Sequence, residues 1–234
     1  MRGAVVALDT LLDERRVWKG RAVAPLAEPQ SDRQPSGHAT LDAALPGGGW
    51  PPAALTEILI AGEGVGELQL VWPTLARLSA RGERIVLVAP PHVPYPQAWL
   101  SAGVDLRQLS VIQAAPRDAL WAAEQCLRSG SCGAVLCWPQ QADDRALRRL
   151  QVAAETGQTL AFAYRSLEEA INPSPAALRI AVEGRPAQLR VLKCRGGLAH
   201  SAPFAFSTGH CGGFAVGLYC FSAIGPGRGI AANP

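Results

Sequence analysis

Residues 36–70 read SGHATLDAALPGGGWPPAALTEILIAGEGVGELQL, and this stretch decides the fold. It contains an apolar run of strand length at 54–60, which passes directly into a glycine-bearing loop at 61–66. Apolar residues then recur at helical spacing, and this pattern predicts a helix over 67–81. A strand, a tight loop and a helix in this order are typical of the first unit of an α/β domain.

The chain after this unit continues to alternate between strands and helices. Apolar runs predict strands at 84–89, 108–113, 133–138 and 159–164, and helical periodicity predicts helices at 97–102, 117–128 and 143–156. Such alternation indicates a mostly parallel sheet flanked by helices. Two further runs, at 178–182 and 188–194, flank a turn with Gly184 and Pro186, so we expect a C-terminal antiparallel hairpin at the sheet edge.

The two ends of the chain differ in composition from this central region. Residues 1–35 predict an N-terminal helix over 4–18 followed by a polar, proline-bearing linker. Residues 36–197 form the core, and residues 198–234 are a tail rich in Gly, Ala and Ser. The pattern leaves open whether the tail is ordered, disordered or ordered by a partner.

Composition excludes several classes of protein. The 234 residues are 48% hydrophobic with a net charge of +3, which is unlike a strongly basic DNA-coating protein, although a local basic patch stays open. No apolar stretch reaches the roughly 18 residues of a membrane span, so we expect a cytoplasmic protein without a membrane segment. The six cysteines show neither a CxxC pair nor zinc spacing, so we expect no metal.

Residues 36–70 resemble the opening of the RecA/Rad51 ATPase core. In that family a Thr-Gly-x-x-x-Leu-Asp-x-x-Leu-x-x-Gly-Gly-like stretch precedes a strand that runs into a phosphate-binding loop. The matching residues are Ser36, Gly37, Leu41, Asp42, Leu45, Gly48 and Gly49, with Glu57 in the strand. The resemblance covers about residues 36–195 and implies a RecA-like core of the P-loop type.

The loop lacks the side chains that bind ATP in that family. It reads AGEGVGEL over 61–68 and keeps Gly62, Gly64 and Gly66. Glu67 stands where the family has the phosphate-binding Lys, and Leu68 stands where it has the Ser/Thr that holds magnesium. A carboxylate facing a triphosphate turns attraction into repulsion, a change of several kcal/mol. The glycines are explained by the tight turn alone, with a retained anion site as the alternative.

Two positions outside the loop point the same way. The strand at 133–138 ends in Trp138, where the resemblance places the Asp that orients magnesium. Pro91 follows the strand at 84–89, where the resemblance places the catalytic Glu. We therefore expect a protein that is not an enzyme and that uses no cofactor.

Two bacterial families combine such a core with lost nucleotide chemistry, namely ImuA and SulA. The sequence resembles ImuA more closely, on VWKG at 17–20, GGGWP at 47–51 and LKCRGG at 192–197. This resemblance implies a non-catalytic accessory protein of SOS-induced translesion DNA synthesis. Its implied partners are the RecA recombinase and an ImuB-type inactive Y-family polymerase, working with an error-prone replicative-type polymerase. The alternative is a SulA-like inhibitor that binds the tubulin-like division protein.

Candidate contact residues fall in three places. Trp18 is a candidate anchor for a partner because aromatic residues are enriched at interface hot spots, with packing onto its own core as the alternative. Arg145 and Arg149 share a helix face at four-residue spacing. Arg190, Lys193 and Arg195 lie at the end of the last strand. For both basic groups, contact with DNA or a partner and a merely solvated surface stay open.

Overall fold

The computed structural model describes residues 34–62, 64, 66–140, 142–184, 188–197 and 203–205. Its strands are β1 Leu55–Ile60, β2 Arg84–Val88, β3 Leu109–Ile112, β4 Cys132–Cys137, β5 Leu160–Ser166, β6 Leu178–Glu183, β7 Gln188–Cys194 and β8 Phe204–Ala205. Its α-helices are α1 Ala39–Ala44, α2 Trp72–Ala80, α3 Pro96–Ser101, α4 Pro116–Arg128 and α5 Asp144–Gly157, and 3-10 turns span Leu106–Gln108 and Leu167–Ile171.

The strands form one mixed sheet in the order β3-β2-β4-β5-β1-β6-β7-β8. From β3 to β6 every neighbouring pair is parallel, whereas β7 is antiparallel to β6 and to β8. The predicted mostly parallel sheet and its C-terminal antiparallel hairpin are therefore confirmed. The short strand β8 was not predicted.

Helices cover both faces of the sheet. On one face, Ile58 of β1 belongs to a buried cluster with Leu75 of α2 and Trp99 of α3. On the other face, Leu55 belongs to a cluster with Leu127 of α4 and Leu150 of α5. Both faces of β1 are buried, as expected for a central parallel strand. In the described part of the chain, no helix has the length and apolar character to span a membrane.

Helix α2 begins later than the periodicity predicts. It starts at Trp72 instead of residue 67, with Pro73 in its first turn. A helix that began at 67 would place this proline in its interior, where the ring clashes with the carbonyl of Gln69 and no N–H is available to bond it. The preceding residues form turns, in which Leu68 accepts the N–H groups of Val71 and Trp72 at 3.1 Å. The helix N-terminus is therefore separated from the glycine loop.

The stretch before β1 contains a short helix that the sequence did not predict. Helix α1 is preceded by a turn in which the Ser36 N–H donates to Asp42 Oδ1 at 2.8 Å. Leu41 and Leu45, on the same side of the helix, are buried in the core. The Leu-Asp-x-x-Leu spacing of this stretch is thus explained by the hydrogen bond between Ser36 and Asp42 and by the packing of the two leucines.

The triple-glycine step has an equally local cause. The Trp50 N–H donates to the carbonyl of Gln34 at 2.7 Å, and its indole Nε1 donates to Thr74 of α2 at 2.8 Å. This pairing brings the backbone of Gln34 so close to Gly49 that a Cβ there would lie 2.2 Å from the carbonyl oxygen. Gly49 therefore has no room for a side chain.

Candidate functional site

The predicted site positions lie at the carboxyl edge of the parallel strands. The loop at 61–66 follows β1, which is flanked by β5 and β6 in the middle of the sheet. Pro91 follows β2 and Trp138 follows β4 at the same edge. This is the edge at which open α/β sheets bind ligands, so the positions that the sequence singled out lie along one edge of the sheet, with β4 and β5 between Pro91 and the glycine loop.

The backbone of the glycine loop forms a hydrogen bond with the side chain of Glu67. Gly64 and Gly66 have φ values of +75° and +94°, whereas Gly62 does not take a positive φ. The Gly64 N–H donates to Oε1 of Glu67 at 3.2 Å, and Oε2 of Glu67 is buried. Loops of this kind bind phosphate through their backbone N–H groups, so Glu67 occupies a donor that a phosphate would need.

The neighbouring residue supplies no metal ligand. Leu68 is half-buried and packs against the core cluster that includes α2. With an aliphatic side chain at this position and α2 beginning at Trp72, the loop has neither the hydroxyl nor the adjacent helix N-terminus of a nucleotide site.

Aromatic rings fill the edge beside β4. Trp138 stacks on Tyr164 of β5, with ring centroids 4.9 Å apart and 12° between the planes. Burial raises the pKa of the Tyr164 hydroxyl well above its ordinary value, and the nearby Glu67 and Cys137 raise it further. Trp138 therefore packs against the sheet. Pro91, in contrast, is exposed in the loop after β2.

Most of the candidate basic residues have partners within the chain. Arg149 pairs with Glu124, Arg190 with Glu183, Arg195 with Glu155 at 3.3 Å, and the Lys193 ammonium donates to the Ser174 carbonyl at 2.6 Å. Burial, aided by two neighbouring arginines, lowers the pKa of Lys193. These side chains are held in place by intramolecular contacts, so fewer of their N–H groups are available to bind phosphates. Arg145 has an exposed side chain.

The same residues do not form one surface. Lys193 lies opposite Arg179 at the start of β6, which is the amino edge of the parallel strands. Arg145 lies in the first turn of α5, which follows β4 and so begins at the carboxyl edge. Arg195 pairs with Glu155, which lies about 15 Å along helix α5 from Arg145 at 1.5 Å per residue. The two basic groups are therefore separated by most of the length of this helix. Trp18 lies outside the described residues.

A buried ion-pair network was missed by the sequence analysis. Oε1 of Glu57 accepts from Nη1 of Arg165 at 2.8 Å, and Oε2 lies 2.8 Å from Nε of Arg179 without the direction of a hydrogen bond. Arg165 also pairs with Glu169 at 3.0 Å. The network joins β1, β5, β6 and the turn Leu167–Ile171. The sequence did contain a signal for this network, because each of three apolar strands carries one charged residue, and a buried charge needs a partner of opposite sign.

Comparison with known proteins identifies a similar family for the core. None of the curated proteins matches the chain. The crystal structure of SulA from Pseudomonas aeruginosa is 27% identical, with 50% of this chain and 99% of that chain covered and a TM-score of 0.42. Residues 54–161, which run from the residue before β1 to the second residue of β5, match the family model described as cell division inhibitor SulA, so the core of this chain is similar to the SulA family.

Proposed function

We propose that this protein is a SulA-like inhibitor of cell division that acts by binding the tubulin-like division protein. The observation that carries the proposal is the match of residues 54–161 to the SulA family model. This match supports the alternative of our sequence interpretation better than the ImuA-like role that we placed first. It also supports a setting in the SOS response to DNA damage, where a cytoplasmic inhibitor would delay division.

The proposed inhibitor works by binding and not by catalysis. Its core is a RecA-type core in which the phosphate loop persists as a turn. The Glu67 carboxylate on the Gly64 N–H, the aliphatic Leu68 and the stacked Trp138 support this reading, because each takes a place that nucleotide or magnesium would need. Without a nucleotide to regulate it, the protein would inhibit in proportion to its amount.

A second candidate is the ImuA-like accessory role in translesion synthesis, with RecA and an inactive Y-family polymerase as partners. The observation that favours it is the likeness at GGGWP (47–51) and LKCRGG (192–197), which both lie outside the matched segment. The geometry gives part of this likeness a structural cause, because Gly49 and Trp50 are fixed by packing on Gln34 and Thr74. We therefore place it second.

Expression of the chain in growing bacteria separates the two candidates. We expect filamentous cells and retention of the tubulin-like division protein on the immobilised chain. Co-expression of extra division protein should restore normal cell length, because it titrates the inhibitor. Normal division in cells that accumulate the folded chain, together with retention of RecA or of the inactive polymerase, would reject the inhibitor in favour of the accessory role.

A further inference from the structure

Helices α4 and α5 lie side by side on one face of the sheet, and their outward surface carries an exposed tryptophan. Leu127 of α4 and Leu150 of α5 belong to one buried cluster beneath this surface. Trp121 of α4, in contrast, is 61% exposed. Tryptophan side chains are highly buried on average, so what this ring can bind depends on the residues around it.

The residues around Trp121 are arginines. On α4, Arg117 precedes it by four residues and Arg128 follows it by seven, so both lie on the helix stripe of Trp121. On α5, Arg145 and Arg149 share a face at four-residue spacing. Neither helix contains a lysine, so every cation on this surface is a guanidinium group.

The register of the two helices follows from one shared carboxylate. The side chain of Glu124 on α4 is buried, and it pairs with Arg128 at 2.8 Å and with Arg149 of α5. Both helices connect parallel strands of the sheet, so they run in the same direction. One turn from this contact towards their amino termini brings Trp121 level with Arg145. The ring therefore has arginines along its own helix and across the helix pair.

The arginines around the ring outnumber the carboxylates. Glu124 accepts Nη2 of two guanidinium groups, which are half exposed and have further N–H groups. Arg117 pairs with the exposed Asp118 at 3.4 Å, whereas Arg145 has no ion-pair partner among the described residues. The other exposed arginine of α5 pairs with Asp144 and adds no net charge. Four arginines thus face two carboxylates, which leaves an excess of positive charge around the ring.

We propose that this face of α4 and α5 binds single-stranded nucleic acid, with one base stacked on Trp121 and the neighbouring phosphates on the arginines. Base stacking on an aromatic ring and backbone contact by cations are the two components of single-strand binding without sequence preference. A guanidinium group binds phosphate through two parallel N–H groups, and it does so better than an ammonium group. In a duplex the bases are stacked on each other, so the ring would have no free base to accept.

The distribution of charge favours a nucleic acid over an acidic segment of a protein. Protein interfaces are depleted of charged residues at their core, and their polar residues lie at the rim. On α4 the order is reversed, because the exposed apolar residues are only Trp121 and Pro116 at the first position, and arginines flank the ring on both sides. A single ring among guanidinium groups fits one base and its phosphates. The inference concerns a surface outside the glycine loop and does not depend on the proposed function.

Fluorescence anisotropy of a labelled oligothymidylate tests the stacking on the full chain. We expect the wild type to bind, Trp121→Ala to weaken binding by about 5- to 140-fold, and Trp121→Phe to keep most of the affinity. Leu100→Ala is the control, because Leu100 is half exposed on α3, which packs on the other face of the sheet, and its variant should bind as the wild type does. A wild-type chain that does not bind overturns the proposal, as does an equal loss in Trp121→Ala and Leu100→Ala.

The salt dependence of the same binding tests the phosphate contacts. Arg145→Gln should reduce the slope of log affinity against log salt concentration by about 0.7, which corresponds to one phosphate of a single strand. Arg107→Gln is the matched control, since this exposed arginine precedes β3 at the amino edge of the sheet, and it should leave the slope unchanged. An unchanged slope in Arg145→Gln, or the same decrease in both variants, would contradict the assignment.

Competition by polyglutamate separates the base from the charge. This polymer carries negative charge without bases, so at equal charge concentration it should displace the oligothymidylate much less than unlabelled oligothymidylate does. Equal displacement by the two polymers would reject single-stranded nucleic acid in favour of an acidic protein segment.

Discussion

The side chain of Glu67 turns back onto the glycine loop, where its carboxylate accepts the Gly64 N–H at 3.2 Å. A phosphate would need the same donor, and it would have to bind from solution. The carboxylate is tethered three residues away, so its effective concentration at the loop is high at all times. At the residue scale, the Glu67 carboxylate therefore has two effects. It occupies the Gly64 N–H of the loop, and its negative charge repels an anion that approaches from solution.

Repair of the two altered loop residues should not restore nucleotide binding. The double variant Glu67→Lys with Leu68→Thr returns the family's side chains to the loop. We nevertheless expect no heat of Mg-ATP binding by titration calorimetry, because α2 begins at Trp72 and its N-terminus is not at the loop. Circular dichroism checks that the variant is folded. Saturable, magnesium-dependent binding by this variant would show that side chains alone were lacking.

Cys137 at the end of β4 should make stability depend on alkaline pH. Burial raises the pKa of its thiol from an ordinary 9.0 to about 12. Because the pKa is raised in the folded state, the contribution is constant below pH 9 and decreases as pH increases from 9 to 12, by about 1.4 kcal/mol per pH unit. Urea unfolding of wild type and of Cys137→Ala measures this, and the variant should have the shallower slope above pH 9. Equal dependence of stability on pH in the two proteins would mean that the Cys137 thiol is solvated, which would contradict its burial.

At the scale of elements, local rules explain most boundaries, and one proline explains the main exception. The apolar periodicity correctly predicted a helix after β1 but started it at residue 67. Periodicity depends only on the spacing of apolar residues and takes no account of the N–H that proline lacks. Pro73 moves the start to Trp72. Helix α1 was missed for a different reason: it has six residues, too few for a period to be recognised.

Gly49 should tolerate no side chain. Gly49→Ala would place a Cβ 2.2 Å from the Gln34 carbonyl oxygen, so the bridge to Trp50 must shift, and we expect a loss of about 2 kcal/mol or more in the free energy of unfolding. Gly47→Ala is the control, since nothing lies within 4 Å of the added Cβ, and it should change stability by no more than about 0.5 kcal/mol. Urea unfolding compares the two, and equal losses would contradict the packing described.

The ion-pair network that joins β1, β5 and β6 should be essential to the sheet. Glu57→Ala leaves the buried Arg165 and Arg179 without their shared carboxylate, and we expect a loss of about 3–5 kcal/mol. Arg148→Ala breaks the exposed pair of Arg148 with Asp144 on helix α5 and should cost less than about 1 kcal/mol. Chemical unfolding of both variants measures the difference, and a Glu57→Ala protein as stable as the control would contradict a structural role.

At the scale of the whole molecule, the sequence predicted the mostly parallel sheet and its hairpin because alternating strands and helices are read from neighbouring residues. The candidate site was located only as an edge. Contacts such as Glu57 with Arg165, or Trp138 with Tyr164, join residues distant in sequence, and periodicity does not encode them. The two basic groups were predicted without any spatial relation between them, and sheet topology places Arg145 and Lys193 at opposite edges of the parallel strands.

The assembly of the purified tubulin-like division protein with GTP tests the proposed inhibition most directly. Addition of the full chain should reduce the sedimentable polymer in proportion to its amount, because each bound division protein is withdrawn from assembly. The reduction should be the same with and without Mg-ATP, since the loop at 61–66 is not expected to bind nucleotide. Unchanged polymer with excess folded chain would contradict the proposed function, and inhibition that requires ATP would contradict the proposed site.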